Sequence, residues 1–198
     1  ADPDSALLGL VRVVEAAGEE VEALLAALRD DAAARARIIG AMGVSTALVA
    51  LARAAGLRVY ATSRSEAKRG RALEIGAHEV FDSGERLPVK VDAVMETVGR
   101  ATWQHSIRSL RPGGRIVIAG TTSGPQVDDA MLTHIFFLQL GVIGSTMGTR
   151  DELDALVQML HATGTRPLVH AQLPLEQARD GFAQMIEGDQ VGKIVFTR

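Results

Sequence analysis

From Ile38 to the end of the chain, short β-rich runs alternate with helical patterns. Parallel strands cannot be joined by a tight turn and need a crossover, usually a helix, so this order predicts an α/β fold built on a parallel sheet. With crossover helices on both faces, the expected architecture is a doubly wound parallel sheet. A helix is expected over residues 45–55, closed by Gly56, and a strand over 57–62. Ser63-Arg64-Ser65-Glu66 has the form of a capping box and opens a helix that ends at Ile75-Gly76. Strands are expected over 79–81 and 91–95, then a helix over 101–110. Arg111-Pro112-Gly113-Gly114 reads as a turn into a strand over 115–119. A helix near 130–138 leads to a strand over 142–145, and a second capping box, Thr149 to Glu152, opens a helix to about His161. A strand near 168–173, a helix with Pro174 near its first turn and a last strand over 193–197 complete the pattern.

The texture before residue 38 is different. Leu7, Leu10, Val11, Val14, Val21, Leu24, Leu25 and Leu28 recur at helical spacing, with Asp4 or Ser5 as N-cap and Gly18 as a break. Residues 1–37 are therefore expected to form a helical extension and residues 38–198 a separate, dinucleotide-binding-type domain. Glu15, Glu19, Glu20 and Glu22 in the extension read as a solvated helical face rather than a cation site.

Composition excludes several classes of function. The 198-residue chain carries a net charge of -3 and so has no overall basic field to draw it to nucleic acid or an anionic membrane. Its apolar runs are broken well before the ~20 residues that span a bilayer, and Ala1-Asp2-Pro3-Asp4 is acidic where a signal peptide is basic. A cytoplasmic protein is expected. With no cysteine, the sequence has no disulfide, thiolate metal site or Cys nucleophile. The histidines His78, His105, His134, His161 and His170 show no metal-ligand spacing, and no nucleophile elbow is present.

Gly40-Ala41-Met42-Gly43-Val44-Ser45 is a glycine turn running into the first helix. Such a turn lets backbone N–H groups face a phosphate at the helix N-terminus, where the dipole also favours negative charge. Taken alone it fits an ordinary loop equally well. The wider context is more specific. Val59 to Arg64, Ala72 to Ala77, Val91 to Gly99, Leu110 to Arg115, Ile143-Gly144-Ser145 and Val191 to Val195 stand in an order that resembles the cofactor-binding half of the medium-chain dehydrogenase/reductases. That superfamily includes the zinc-type alcohol dehydrogenases and quinone oxidoreductases, and the similarity runs over roughly four-fifths of the chain.

The resemblance implies a Rossmann-type domain with a dinucleotide along the carboxyl ends of its strands. Gly40 and Gly43 would be the close-approach residues, with Val44 and Ser45 starting the helix. Ser63, Arg64 and Lys68 would lie at the adenosine ribose. The end of the second strand carries no acid until Glu66, so NADP is expected over NAD. Thr97, Val98, Gly99, Gly120, Thr121, Gly144 and Ser145 would surround the nicotinamide half. The turn is one residue shorter than the family's common form, and Met42 stands where a small residue is usual. Arginines at 35 and 37 interrupt the expected opening strand at residues 34–39.

In that family zinc is held by Cys, His and acidic residues of an amino-terminal catalytic domain, for which the helical segment stands here. No zinc and no catalytic residue are therefore expected. Three readings stay open: an NADP(H)-binding domain without turnover on its own; a zinc-independent, NADPH-dependent reductase of small carbonyls or enones; and an engineered chimeric scaffold without a ligand. The strand near 142–145 commonly pairs across a two-fold axis in the resembled family, so a homodimer is a further expectation.

Overall fold

The computed structural model describes residues 44–187 and 190–198. The helical extension, the strand expected at 34–39, and Gly40 and Gly43 lie outside the described residues. Within them the order is α1 (Val44–Ala54), β1 (Tyr60–Thr62), α2 (Glu66–Ile75), β2 (Glu79–Phe81), β3 (Val91–Glu96), α3 (Trp103–Ser109), β4 (Leu110–Ile118), α4 (Leu132–Phe137), β5 (Gly141–Gly144), α5 (Arg150–Thr163), β6 (Val169–Pro174), a 3-10 turn (Leu175–Gln177), α6 (Ala178–Glu187) and β7 (Lys193–Thr197).

Every strand pair among the described residues is parallel. The pairs form three groups, β1-β2, β3-β4-β5 and β6-β7. The fold expectation is met.

Alternate strand residues go to opposite apolar layers, which is what a parallel sheet covered on both faces requires. Val59, Ala61, Met95, Val117 and Ile143 pack with Leu48, Val49 and Ala52 of α1 and Met159 of α5. Tyr60, Val94 and Ile116 point the other way, onto Trp103 and Ile107 of α3 and onto Met131 and Leu140. Val59, Val91, Val94, Ile107 and Ile116 are nearly or wholly inaccessible to solvent. Each contributes about 1.5–3 kcal/mol by burial.

Several local expectations are corrected. The strand expected over 57–62 is laddered only at Tyr60–Thr62. In its first half Leu57 and Val59 are buried, but the Leu57 N–H donates back to Ala52 O at the end of α1, and the Val59 N–H donates to His78 Nδ1. The cap of α2 is Ser65, not Ser63: Ser65 Oγ accepts the Lys68 N–H at 3.4 Å. Arg111-Pro112-Gly113-Gly114 does not precede the strand but interrupts it. Val91 pairs with Leu110 and Ala93 with Arg115, so these four residues bulge from β4, with Gly113 at φ 74° and its N–H on Leu138 O. The helix expected near 130–138 is shorter because Met131 adopts φ 57° and is pinned by its N–H on Asp129 Oδ1. Pro174 ends β6 and caps the 3-10 turn instead of sitting inside a helix.

The second capping box is present as expected. Thr149 Oγ1 accepts the Glu152 N–H at 3.3 Å while the Glu152 carboxylate accepts the Thr149 N–H. Among the described residues no helix is long and apolar enough to cross a membrane.

Candidate functional site

Two groups of side chains meet at the carboxyl ends of the strands. The first fills the crevice between the start of α1 and the start of α2. Ser45 and Thr46 approach it from α1, Thr62 and Ser63 from the end of β1, and Lys68 and Arg69 from α2. Lys68 follows directly from the Ser65 cap, which fixes the first turn of α2. Arg69 is held more firmly. Its Nη1 donates to Ser63 O at 2.6 Å and lies 3.4 Å from Asp82 Oδ1, so the guanidinium bridges the ends of β1 and β2. Ser63 in turn donates its N–H to Phe81 O and accepts the Ser65 N–H on its hydroxyl. The crevice is narrow as it stands, about 20 Å³, the room of a single water. A larger group reaches it only if the long Lys68 and Arg69 side chains swing outward.

The second group lies along β3, β4 and β5. Their register places Glu96, Ile118 and Gly144 in one row, so the residues that follow emerge together from one edge of the sheet. Glu96 organises this edge. It is 3% exposed and accepts four hydrogen bonds: Oε1 from the N–H of Val98 (2.8 Å), the N–H of Gly99 (3.0 Å) and Thr102 Oγ1 (2.8 Å), and Oε2 from Ser106 Oγ (2.5 Å). A buried carboxylate is tolerated when its lone pairs are matched in this way. The loop after β3 is thereby tied to α3.

That loop is also closed against the one after β4. The Ala119 N–H donates to Glu96 O, and both the N–H and the hydroxyl of Ser123 donate to Val98 O. A Cβ on Gly99, whose φ is +87°, would lie 2.6 Å from Gly124 O. One on Gly120 would lie 3.0 Å from Thr97 O. These two glycines are required by loop-to-loop contact. Gly144 has open space around it, and the Ser145 N–H donates to Ile118 O.

The structure thus brings Ser45, Ser63 and Lys68 together at one crevice, and Thr97, Val98, Gly99, Gly120, Thr121, Gly144 and Ser145 along one sheet edge. Val44 is the exposed first residue of α1. Arg64 is exposed in the β1–α2 connection and does not line the crevice. Sequence reasoning missed two residues. Arg69 reads as part of a solvated basic face until the Ser63 carbonyl and Asp82 are seen beside it. Glu96 ends an apolar run and reads as a strand terminus; the signal available was its spacing to the hydroxyls of Thr102 and Ser106.

Chemically, the crevice sets Lys68 and Arg69 and the hydroxyls of Ser45, Thr46, Thr62 and Ser63 beside an apolar wall of Val49, Ala61, Ala72, Ile75 and Val191, with no carboxylate among the described lining residues, and its cationic side can accept an anionic group. The sheet edge offers backbone groups, small residues and hydroxyls, while its Glu96 carboxylate is fully engaged. Among the described residues no three His, Asp or Glu side chains are grouped so as to hold a metal ion. The described residues therefore do not fit a zinc centre.

An open parallel sheet with helices on both faces, and a crevice at the carboxyl ends of its strands, defines a Rossmann-type α/β domain. Residues 43–162 match the model of the zinc-binding dehydrogenase family, and the chain belongs to that family, in the Rossmann-like half of the medium-chain dehydrogenases. It is 27% identical over 158 residues to the acryloyl-coenzyme A reductase of Metallosphaera sedula, covering 78% of this chain and 48% of that protein. It is 27% identical over 169 residues to the quinone oxidoreductase of Mus musculus, covering 77% of this chain and 51% of the relative. The solved structure of an NAD-dependent alcohol dehydrogenase superposes with a TM-score of 0.76 at 28% identity, over 95% of this chain and 57% of the other. The chain spans about half the length of the curated relatives it matches.

Proposed function

We propose that this chain binds NADP(H) as the cofactor-binding part of a medium-chain oxidoreductase. The adenosine 2′-phosphate is assigned to the crevice of Ser63, Lys68 and Arg69, and the nicotinamide half to the edge formed by Thr97–Gly99, Gly120–Thr121 and Gly144–Ser145. The observation that carries this reading is the charge of the crevice. Lys68 and Arg69 line it, and among the described residues no carboxylate does. An acid at this place would accept from a ribose hydroxyl and repel a phosphate, whereas two cations favour the phosphate. Asp82, outside the crevice, shares the Arg69 guanidinium at 3.4 Å. The test is thermal melting of the full chain with millimolar NADPH or NADH. Ligand binding to the native state raises the melting temperature. NADPH is expected to raise it more than NADH; no rise with either cofactor contradicts the reading.

When bound, the dinucleotide would supply hydride chemistry. The chain's own residues bind and orient it. Lys68 and Arg69 fix one end, and the Glu96 network holds the β3 loop rigid at the other. Kinship to an acryloyl-coenzyme A reductase and quinone oxidoreductases supports reduction of an activated double bond or quinone as the whole protein's reaction. Glu96 accepts four hydrogen bonds and so is committed to holding the β3 loop rather than to proton transfer.

We also propose that two copies pair through β5. Within the β3-β4-β5 group it is an edge strand, and Val142, Leu132 and Phe137 expose 44%, 71% and 70% of their surface on it and on the neighbouring α4. Unpaired strand edges and exposed apolar groups of this kind favour association. Sedimentation at a dimer mass supports this arrangement, and a monomer at micromolar concentration contradicts it.

A further inference from the structure

We propose that the outer face of α1 is a docking groove for the chain's own residues 19–28, with their apolar stripe on the groove floor and their glutamates on its cations. The groove has a volume of about 650 Å³ and runs along α1, walled by α2, α5 and residues 165–168. α1 carries one charge, Arg53, and Leu48, Val49, Leu51 and Ala52 already bury its inner face. Ala47, Ala50 and Ala54 repeat at helical spacing on the far side and line the groove. A helix that is apolar all round is ordinarily covered all round. Ile75 of α2 and Leu156 and Leu160 of α5 extend the apolar floor beside the alanines, whose small side chains let a second helix approach closely.

Charge selects the occupant. Arg53, Arg71, Arg166 and Lys193 line the groove, and Glu74, its one carboxylate among the described residues, is paired with Arg71. Arg53 Nη1 lies 2.8 Å from His78 Nε2, which supplies no negative charge. Arg166 and Lys193 have no acidic partner among the described residues. The matching charge lies in the first 43 residues, which hold eight acidic and four basic side chains in a chain of net charge -3. Within them Val21, Leu24, Leu25 and Leu28 repeat at i, i+3, i+4 and i+7, and Glu19, Glu20 and Glu22 lead into that stripe.

Length agrees with charge. Residues 19–28 as a helix span about 15 Å, close to the length of the 11-residue α1. Residues 29–43 join them to Val44, the first residue of α1, and at about 3.3 Å per extended residue they reach any point on the groove. A tether of this kind gives the segment an effective concentration on the order of millimolar, which a second copy at micromolar concentration does not match. Thr46 and Ile75 line both this groove and the crevice of Lys68 and Arg69, so the seated segment braces a wall of that crevice.

The chain has no cysteine, so an installed pair can be linked without competition. The test oxidises Leu24→Cys/Ala50→Cys, in the full chain at micromolar concentration, with copper phenanthroline in air, and follows the disulfide by non-reducing electrophoresis and peptide mass spectrometry. An intramolecular disulfide is expected to form about tenfold faster than in Leu24→Cys/Gln104→Cys, whose second cysteine lies on α3 in the other layer, and to slow severalfold in an Arg166→Glu/Lys193→Glu background. Leu25→Cys/Ala50→Cys replaces the first pair if that variant melts early. Equal rates in the groove and control pairs, linkage only between chains, which places a second copy in the groove, or a rate indifferent to the charge reversal would overturn the inference.

Discussion

The Ser106 hydroxyl of α3 donates to the Glu96 carboxylate at the end of β3 across 2.5 Å, and both side chains are buried. Ten residues apart in sequence, they lock a strand end to the helix that follows it. Replacing Glu96 by Ala leaves two backbone N–H groups and two hydroxyls without their acceptor. At about 1–3 kcal/mol for each donor left unmet, some of which rotate to new partners, we expect Glu96→Ala to cost about 3 kcal/mol or more. Glu96→Gln keeps one oxygen and is expected to lose less than half of that. Urea denaturation of the two variants checks the order.

The glycines of the sheet edge separate into those that packing requires and those it does not. Gly99→Ala places a Cβ 2.6 Å from Gly124 O at a φ of +87° and is expected to cost about 2 kcal/mol or more. Gly144→Ala meets nothing within 4 Å and is expected to change stability by less than about 0.5 kcal/mol. Melting temperatures of the pair decide it, and equal losses would contradict the structure.

Much of the fold is legible in the sequence because it depends on local pattern. The alternation of strand and helix, the Thr149 to Glu152 box and Gly56 after α1 all report interactions between near neighbours. What sequence leaves hidden depends on a partner from another element. The ladder of β1 starts late because the Val59 N–H is taken by His78, 19 residues on. The Arg111–Gly114 bulge exists because β4 resumes pairing with β3 on its far side. At the site, the cationic character of the β1 end was readable. The choice between Arg64 and Arg69 was not, since it turns on Asp82 at the end of β2.

His78 gives a pH dependence. Burial first, then the guanidinium groups of Arg53 and Arg58, hold its imidazole below the ordinary histidine value, with Glu79 opposing them. The fold therefore favours the neutral ring. Its contribution to stability is full above the unfolded value of about 6.5 and falls away as the pH drops through the lower folded value. His78→Gln retains an acceptor for the Val59 N–H but has no proton to gain. We expect the urea midpoint of the native chain to decline more steeply below about pH 6.5 than that of the variant. Parallel curves would contradict the assignment.

The Thr149 cap gives a calibrated local test. Thr149→Ala removes both the hydroxyl acceptor for the Glu152 N–H and the reciprocal geometry of the box. A loss of about 1 kcal/mol is expected from denaturant unfolding.

The crevice beside Ser63, Lys68 and Arg69 is proposed to recognise the 2′-phosphate of NADP(H). Calorimetric titration of the native chain and of Lys68→Ala/Arg69→Ala with NADPH and with NADH tests it most directly. Tighter binding of NADPH by the native chain is expected, with that preference lost in the variant while NADH affinity stays within about twofold, each tenfold in Kd being about 1.4 kcal/mol. Equal affinity of the native chain for the two cofactors, or a preference that survives in the variant, would contradict it.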